Sequence, residues 1–162
     1  MTKVLYPGSF DPITKGHMNI INQASQLFDE VVIAVLQNPM KKSGFFTLEE
    51  RLEIIKELYK KANNIKVVFG EGAAVDIAIL NECKAIVRGL RGLSDYDYEV
   101  QLAHINKDIS NNKVNTVCLF ADNEYQFISS SMVKEVFNLN KDIDKYVDPV
   151  VKQRMLKKRG NL

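Results

Sequence analysis

The segment Gly8–His17 holds residue types that suit the binding of a phosphate group. It contains two glycines, an Asp11-Pro12 turn signal and a histidine, and it lies between the apolar run Val4–Tyr6 and a stretch of helical periodicity. That order predicts a strand, a loop and a helix start. Backbone N–H groups are unpaired at a helix N-terminus, where the helix dipole also favours negative charge. We therefore predict an anion site here, although a histidine that only caps its own helix would give the same pattern.

Neither of the two common phosphate-loop patterns occurs in the sequence. The Walker pattern requires glycine, four residues and then Gly-Lys-Ser/Thr, and no such run exists. The dinucleotide pattern G-x-G-x-x-G fails at Gly70-Glu71-Gly72, because Val75 stands where the third glycine is required. The segment Gly8–His17 is therefore a loop of another kind.

Basic and hydroxyl residues follow other predicted strands. Lys41 and Lys42 come after the second apolar run, two arginines lie in Arg88–Gly92 after the fourth, and Tyr125–Ser131 comes after the fifth. The carboxyl ends of parallel strands meet at one edge of a sheet, where ligands bind. Planar guanidinium groups suit phosphate, and glycine allows close approach of the backbone. We therefore expect these loops to converge with His17 around one ligand.

Each of these signals also has a simpler structural interpretation. A lysine pair in a polar loop is usually solvated, and one serine at a helix start is explained as an N-cap. The two arginines could pair with Asp95 or Asp97 at the surface. His104 lies inside a predicted helix and is interpreted as a packing or surface residue.

The order of apolar runs and helix-periodic stretches predicts an α/β fold. Strands are predicted at Val4–Tyr6, Val31–Leu36, Ile65–Phe69, Ala85–Val87 and Val117–Phe120. Helices are predicted at His17–Phe28, Leu48–Tyr59, Val75–Glu82, Tyr96–Ile109, Ser131–Leu139 and Pro149–Lys158. Near-continuous apolar strands that alternate with helices indicate a parallel sheet covered on both faces. We predict a single domain over residues 1–162, with a Rossmann-like doubly wound five-stranded parallel sheet and C-terminal helices.

The composition excludes several classes of protein. Hydrophobic residues make up 46% and charged residues 26% of the chain, as in ordinary soluble globular proteins. The net charge of +2 argues against a dedicated duplex-binding protein, and no apolar run has the length of a membrane helix. The start of the chain shows no signal-peptide pattern, so a cytoplasmic location is expected. Cys83 and Cys118 lie far apart beside apolar residues, which predicts free thiols in or near the core.

The basic run at residues 151–159 is interpreted as a solvated helix face. In this interpretation Val151, Met155 and Leu156 pack inward while the lysines and arginines face water. Nucleic-acid binding is the alternative, which a salt-dependent titration would test.

Three motifs in order carry a resemblance to a known family. Thr14-Lys15-Gly16-His17 resembles the T/HxGH signature of the nucleotidylyltransferase superfamily, and the longer run from Tyr6 to His17 resembles bacterial phosphopantetheine adenylyltransferases. Ile86–Ala103, with Arg-Gly-Leu-Arg and Tyr-Glu-x-Gln-Leu-Ala, and Glu124–Val136, with ISSSxVKE, extend the resemblance. It implies transfer of AMP from ATP to 4′-phosphopantetheine, which gives dephospho-coenzyme A and pyrophosphate. The alternatives are another small-molecule nucleotidylyltransferase and a non-catalytic nucleotide-binding regulator.

The resemblance also implies the roles of individual residues. The implied catalytic residues are His17 and Lys41, although Lys42 remains open because Gly44 is an extra residue in the neighbouring loop. The implied ATP-binding residues are Ser9, Phe10, His17, Gly89, Leu90, Arg91, Glu99, Tyr125, Gln126, Phe127, Ile128, Ser129, Ser130 and Ser131. The implied 4′-phosphopantetheine-binding residues are Ser9, Lys41, Ala74 and Arg88. At Ala74 the family more often has a larger apolar residue.

Further expectations concern ligands and assembly. The resemblance implies Mg²⁺ between phosphate oxygens, with no protein metal ligands, together with inhibition by coenzyme A and a homohexamer. Neither a nucleic-acid partner nor a membrane is expected. The apolar residues Ile105, Ile109, Phe137 and Leu139 give weak independent support for the assembly, because they exceed what one small core requires.

Overall fold

The computed structural model describes residues 1–37 and 44–160. The strands are β1 (Lys3–Gly8), β2 (Glu30–Leu36), β3 (Ile65–Gly70), β4 (Ala85–Leu90) and β5 (Asn115–Phe120). The helices are α1 (Lys15–Leu27), α2 (Leu48–Leu58), α3 (Ala74–Leu80), α4 (Leu93–Ile109), α5 (Ser130–Asn138) and α6 (Pro149–Gly160), with a short 3-10 helix at Asn123–Tyr125. The strands form one sheet in the order β3-β2-β1-β4-β5, and each neighbouring pair is parallel. The predicted doubly wound five-stranded parallel sheet is thus confirmed.

Alternate residues of the central strands face two separate apolar clusters. In β2, Val31, Ile33 and Val35 pack into the cluster beneath α1, α2, α5 and α6, whereas Val32 and Ala34 pack into the cluster beneath α3. All five side chains are fully buried. This explains why the strand reads as a continuous apolar run, since a parallel sheet covered on both faces has no solvated side.

Side-chain caps fix the starts of α1, α2 and α5, which begin at the carboxyl edge of the sheet. Thr14 and His17 form a reciprocal capping box at α1, and Thr47 and Glu50 form one at α2. The second has the sequence pattern of a capping box, Thr47-Leu48-Glu49-Glu50. Ser129 caps α5 by accepting the Met132 N–H at 3.1 Å.

Strand β4 is longer than the sequence predicted. It runs through Leu90, so that Arg88, Gly89 and Leu90 are strand residues rather than members of a following loop. The ladder between β4 and β5 continues to Leu90 and Phe120, and this pairing keeps the chain extended past the apolar residues. Gly89 also has a packing role, because a Cβ there would lie 2.8 Å from Cγ1 of Ile20 in α1.

Three expectations about burial were wrong. Cys118 is exposed, because it lies on β5 at the edge of the sheet, whereas Cys83 is buried as expected. Leu156 is 48% exposed on α6, although Val151 and Met155 are buried. Phe137 is only 3% exposed and belongs to the core, so it cannot contribute to an interface.

Candidate active site

A crevice opens where the order of strands reverses. The chain adds β2 and β3 on one side of β1 and then places β4 and β5 on the other side, so the reversal lies between β1 and β4. These two strands pair only at Val4–Ala85 and Leu5–Ile86, whereas β1 pairs with β2 along its whole length. The strands therefore separate toward their carboxyl ends, which is where open α/β sheets bind ligands.

A cavity of about 540 Å³ fills this crevice. We call it the switch cavity. It is lined by Tyr6, Pro7, Gly8, Ser9, Thr14, Gly16, His17, Ile20, Arg88, Gly89, Arg91, Asp95, Tyr98, Glu99, Ala121, Ile128, Ser129 and Ser130. The predicted site residues among them are Ser9, His17, Arg88, Gly89, Arg91, Glu99, Ile128, Ser129 and Ser130. The structure thus brings together residues from three separate segments, one after β1, one along β4 and α4, and one at the start of α5, as the sequence predicted for these segments.

The hydrogen bonds of His17 determine which of its nitrogens can face a ligand. Its Nδ1 accepts the Thr14 backbone N–H at 3.0 Å, and the Thr14 hydroxyl in turn accepts the His17 N–H at 3.3 Å. Desolvation, and secondarily the charge of Arg91, lowers the pKa of His17 to about 4. The imidazole is therefore neutral at pH 7, and because Nδ1 is an acceptor its proton lies on Nε2. His17 caps α1 and still has one neutral N–H donor left, so its capping role does not exclude the predicted anion site.

Arg88 is held by a bidentate ion pair with Glu99. The Nε donates to Oε2 at 2.8 Å and Nη2 donates to Oε1 at 2.7 Å, and Glu99 is only 6% exposed. Burial lowers the pKa of Arg88, but the hydrogen bonds and charge of Glu99 outweigh it, so the pKa is raised overall. The guanidinium is thus charged and fixed in orientation. Its Nη1 has no recorded partner among residues 1–37 and 44–160 and can donate to a phosphate.

Arg91 reaches across the crevice to the segment before α5. Its Nη1 donates to the Ile128 carbonyl at 3.3 Å, and its Nε lies 3.6 Å from Asp95 Oδ2. The pairing with Asp95 that the sequence allowed is thus present, whereas the recorded partner of Arg88 is Glu99 rather than Asp97. Because its side chain is 43% exposed, the ion pair with Asp95 is screened by solvent and can open to a ligand.

The three serines differ in their surroundings. Ser129 caps α5, while the Ser130 hydroxyl donates to the Pro12 carbonyl at 2.7 Å and ties α5 to the loop after β1. Ser131 is exposed and lines a second cavity of about 500 Å³, which we call the side cavity. The side cavity is bordered by Ser9, Asp11, Gln37, Gly44, Phe46, Thr47, Leu48, Glu49, Arg51, Ser130, Ser131, Lys134 and Lys158.

Some predicted site residues do not line the switch cavity. Phe10 and Leu90 are buried, and the Phe10 ring lies edge-on to the His17 ring with centroids 5.1 Å apart. Phe127 is 87% exposed, and it lies outside the lining together with Tyr125, Gln126 and Ala74. Lys41 and Lys42 lie outside the described residues.

Sequence reasoning missed the residues that hold the loop after β1. Asp11 accepts the backbone N–H groups of Phe45 and Phe46 at 2.8 Å each, and Lys134 lies 3.5 Å from its Oδ2. Arg51 of α2 donates to carbonyl oxygens at the ends of both β1 and β2. The sequence offered only an Asp-Pro turn signal for the first and a helix position for the second, because Asp11 reaches Phe45 across 34 positions of the chain and Arg51 reaches Ser9 across 42.

Comparison with known proteins identifies the family. A model of the cytidylyltransferase-like family matches residues 5–136. Phosphopantetheine adenylyltransferase of Heliobacterium modesticaldum is 45% identical over 161 residues, which cover 99% of this chain and 95% of the relative. That of Finegoldia magna is 47% identical over 146 residues, 90% of this chain and 89% of the relative. The chain belongs to the phosphopantetheine adenylyltransferase family.

A solved structure supports the fold. The lipopolysaccharide core biosynthesis protein of Thermoplasma volcanium superposes with a TM-score of 0.58 at 24% identity, and the match covers 75% of this chain and 98% of that protein. At this identity the likeness concerns the arrangement of strands and helices only.

Proposed function

We propose that this protein transfers AMP from ATP to 4′-phosphopantetheine, giving dephospho-coenzyme A and pyrophosphate. One observation carries the proposal beyond family membership. In the switch cavity a neutral histidine donor at the start of α1 lies in the same lining as two arginines of the β4 region and two serines at the start of α5. These are the donors that a chain of phosphates requires, and they come from opposite sides of the crevice.

The chemistry requires positioning more than acid–base catalysis. The second pKa of a phosphate monoester is about 6, so the nucleophile is already mostly ionised at neutral pH. The barrier lies in bringing two anions into line and in stabilising charge on the transferred phosphoryl group. In this proposal the Nε2–H of His17 donates to the α-phosphate, together with Lys41 or Lys42. The backbone and hydroxyl of Ser9 contact both substrates.

The remaining donors divide between the two substrates. Arg91, with Ser129, Ser130 and Ser131, binds the β- and γ-phosphates. Ser130 contributes its backbone N–H at the start of α5, because its hydroxyl already donates to the Pro12 carbonyl. Arg88 binds the phosphate of 4′-phosphopantetheine, and Glu99 fixes the orientation of the Arg88 guanidinium through two hydrogen bonds. Ala74 lies at the start of α3, where it would border the pantetheine arm.

We propose that Mg²⁺ enters with ATP. The described residues contain no group of three or more His, Cys, Asp or Glu side chains placed to hold a metal ion. The carboxylates of the switch cavity are engaged, Glu99 by Arg88 and Asp95 by Arg91. Because Mg²⁺ keeps several waters and binds phosphate oxygens, ATP itself can supply the ligands.

Three further features belong to the proposal. The protein acts in the cytoplasm as a homohexamer, and coenzyme A competes with 4′-phosphopantetheine because both carry the pantetheine arm. Within the described residues no helix has the length and apolar character needed to cross a membrane. Three cations of α6 form ion pairs within the protein: Lys152 pairs with Asp142 and Asp144, Arg154 with Glu53 and Glu57, and Lys158 with Glu50. These pairs give no support to nucleic-acid binding.

A direct assay tests the activity. Purified protein with ATP, Mg²⁺ and 4′-phosphopantetheine should release pyrophosphate and form dephospho-coenzyme A, with nicotinate mononucleotide and glycerol 3-phosphate as control acceptors. Transfer to a control acceptor alone would indicate another nucleotidylyltransferase. Binding of ATP without transfer to any acceptor would indicate a regulator.

A velocity series at several coenzyme A concentrations tests the proposed inhibition. Coenzyme A should raise the apparent KM for 4′-phosphopantetheine, and an unchanged KM would contradict a shared pocket.

A further inference from the structure

Arg51 is a buried cation whose recorded partners are all backbone carbonyl oxygens. It lies on α2 and is 9% exposed. Its Nη1 donates to Ser9 O at 2.6 Å and to Leu36 O at 2.9 Å, and its Nε donates to Thr47 O at 3.3 Å. No carboxylate of the described chain lies within ion-pair distance of it. Burying a guanidinium without a full countercharge is costly, so a purely structural role explains this arginine poorly.

The Ser9–Phe10 peptide that Arg51 contacts leads into a strained residue. Phe10 has a φ of 49°, in the left-handed region that bulky residues rarely adopt. Its ring is 2% exposed and packs against Tyr6 and His17. Its backbone N–H finds no acceptor within the described part of the chain. A strained residue with an unsatisfied buried donor points to a ligand, because both features cost stability.

The geometry of one peptide group connects these two observations. In a planar trans peptide the C=O and the N–H point in opposite directions. Arg51 holds the Ser9 oxygen, so the Phe10 N–H is directed away from Arg51. Arg51 lines only the side cavity, Ser9 lines both cavities, and the buried Phe10 lines neither, so the Phe10 N–H would reach the switch cavity beside Ser9. The positive charge of Arg51 beside the Ser9 carbonyl also polarises this peptide group and makes the Phe10 N–H a stronger donor.

We propose that Arg51 is a positioning residue that fixes the Ser9–Phe10 peptide and presents the Phe10 N–H to the transferred phosphoryl group. The bond to Leu36 O ties the end of β2 to the same loop, so the guanidinium sets the spacing between two strand ends. A donor held in place before the reaction lowers the barrier without reorganisation. This inference rests on the proposed function, because it assigns a phosphoryl group to the switch cavity.

Kinetics of two variants test the proposal. Arg51→Lys keeps the charge but cannot span three carbonyls, and Arg51→Met removes the donors. Both should lower kcat by roughly 10- to 100-fold, less than the 10²- to 10³-fold of a deleted oxyanion donor because the Phe10 N–H itself remains, with KM values within about threefold. Arg154→Met is the matched control, because it removes ion pairs to the same helix α2 through Glu53 and Glu57 and should leave kcat unchanged. Thermal unfolding of every variant shows whether it is folded, so that a lowered kcat caused by the lost donor can be distinguished from one caused by unfolding.

A spectroscopic measurement separates this inference from the activity itself. In protein labelled with [¹⁵N]phenylalanine, eight amides give signals, and a Phe10→Leu variant assigns that of Phe10. Addition of ATP should move the Phe10 amide proton downfield in wild type and much less in Arg51→Lys. Wild type that shifts but does not transfer AMP would contradict the proposed function and leave Arg51 supported.

Two results would overturn the role of Arg51. One is a folded Arg51→Lys variant with wild-type kcat. The other is a lowered kcat with a wild-type Phe10 shift, since the arginine would then act by another route. If Arg51→Met does not fold, the kinetics and the Phe10 shift of Arg51→Lys alone test the proposal.

Discussion

At the scale of single residues, the neutral state of His17 is the feature with the clearest consequences. Desolvation lowers its pKa from 6.5 to about 4, so we expect the ¹³C and ¹⁵N shifts of its ring to show the Nε2–H tautomer and to titrate near pH 4. The folded state then binds fewer protons than the unfolded state between pH 4 and 6.5, and stability falls as the pH drops through that window. A ring that titrates near 6.5 would contradict this environment.

Removal of the His17 donor should affect turnover more than ATP binding. A hydrogen bond that strengthens as charge develops acts on the transition state, and loss of such a donor costs about 2.7–4 kcal/mol, or 10²- to 10³-fold in kcat. His17→Ala should show this loss in steady-state assays, with a smaller change in ATP affinity by calorimetry. His104→Ala, the other histidine and an exposed position of α4, is the control. A His17→Ala variant with near-normal kcat would show that His17 only caps α1 and has no role in catalysis.

At the scale of elements, the Arg88–Glu99 pair connects β4 to α4, and in the proposed function Arg88 and Arg91 bind different substrates. We expect Arg88→Ala to raise the KM for 4′-phosphopantetheine, and Arg91→Ala to raise that for ATP. Since Glu99 orients Arg88 through two hydrogen bonds, Glu99→Gln should resemble Arg88→Ala in kind and be weaker. The resemblance alone implied a nucleotide contact for Glu99, so a Glu99→Gln variant that changes only the KM for ATP would restore that role.

The contact between α1 and β4 depends on the absence of a side chain at Gly89. An added Cβ would lie 2.8 Å from Cγ1 and 3.2 Å from Cδ1 of Ile20, a core residue that cannot move freely. We expect Gly89→Ala to lower the free energy of unfolding by about 1–3 kcal/mol, as overpacking does. Urea unfolding should show this loss, and Ile20→Ala in the same chain should recover part of it.

The control for Gly89→Ala is Gly92→Ala. No atom lies within 4 Å of the added Cβ at Gly92, and the φ of −169° is extended backbone, so the expected loss is only that of alanine for glycine at the N-cap of α4, at most about 1 kcal/mol. Equal losses in both variants would mean that the close approach of Ile20 does not decide the cost.

The same elements show how far the sequence predicts this structure. Periodicity located all five strands, and the rule that ligands bind at the carboxyl edge placed His17, Arg88, Arg91 and Ser129 together. Local pattern could not place the end of β4 at Leu90, because that end depends on pairing with β5. It could not reveal Arg51 either, because helical spacing does not tell which distant carbonyls a buried guanidinium will reach.

At the scale of the whole molecule, α4 and the edge strand β5 carry a group of exposed apolar side chains. Tyr98, Ile105 and Ile109 are more than half exposed and recur at helical spacing along α4. Phe120, on the edge strand β5 over which α4 packs, is 74% exposed. Large exposed apolar patches mark interaction sites, and this group agrees in kind with the proposed homohexamer.

This surface gives the assembly a specific test. Sedimentation velocity at micromolar concentration should show a species of six chains of 18.4 kDa each for the wild type. Ile109→Glu places a charge on the α4 stripe, and because a charge buried in an interface must lose its hydration, the variant should sediment as smaller species. Leu27→Glu is the control, since Leu27 is 65% exposed at the end of α1, on the opposite face of the sheet. A hexamer that survives Ile109→Glu but not Leu27→Glu would place the interface on the α1 face, and a wild-type monomer would reject the assembly altogether.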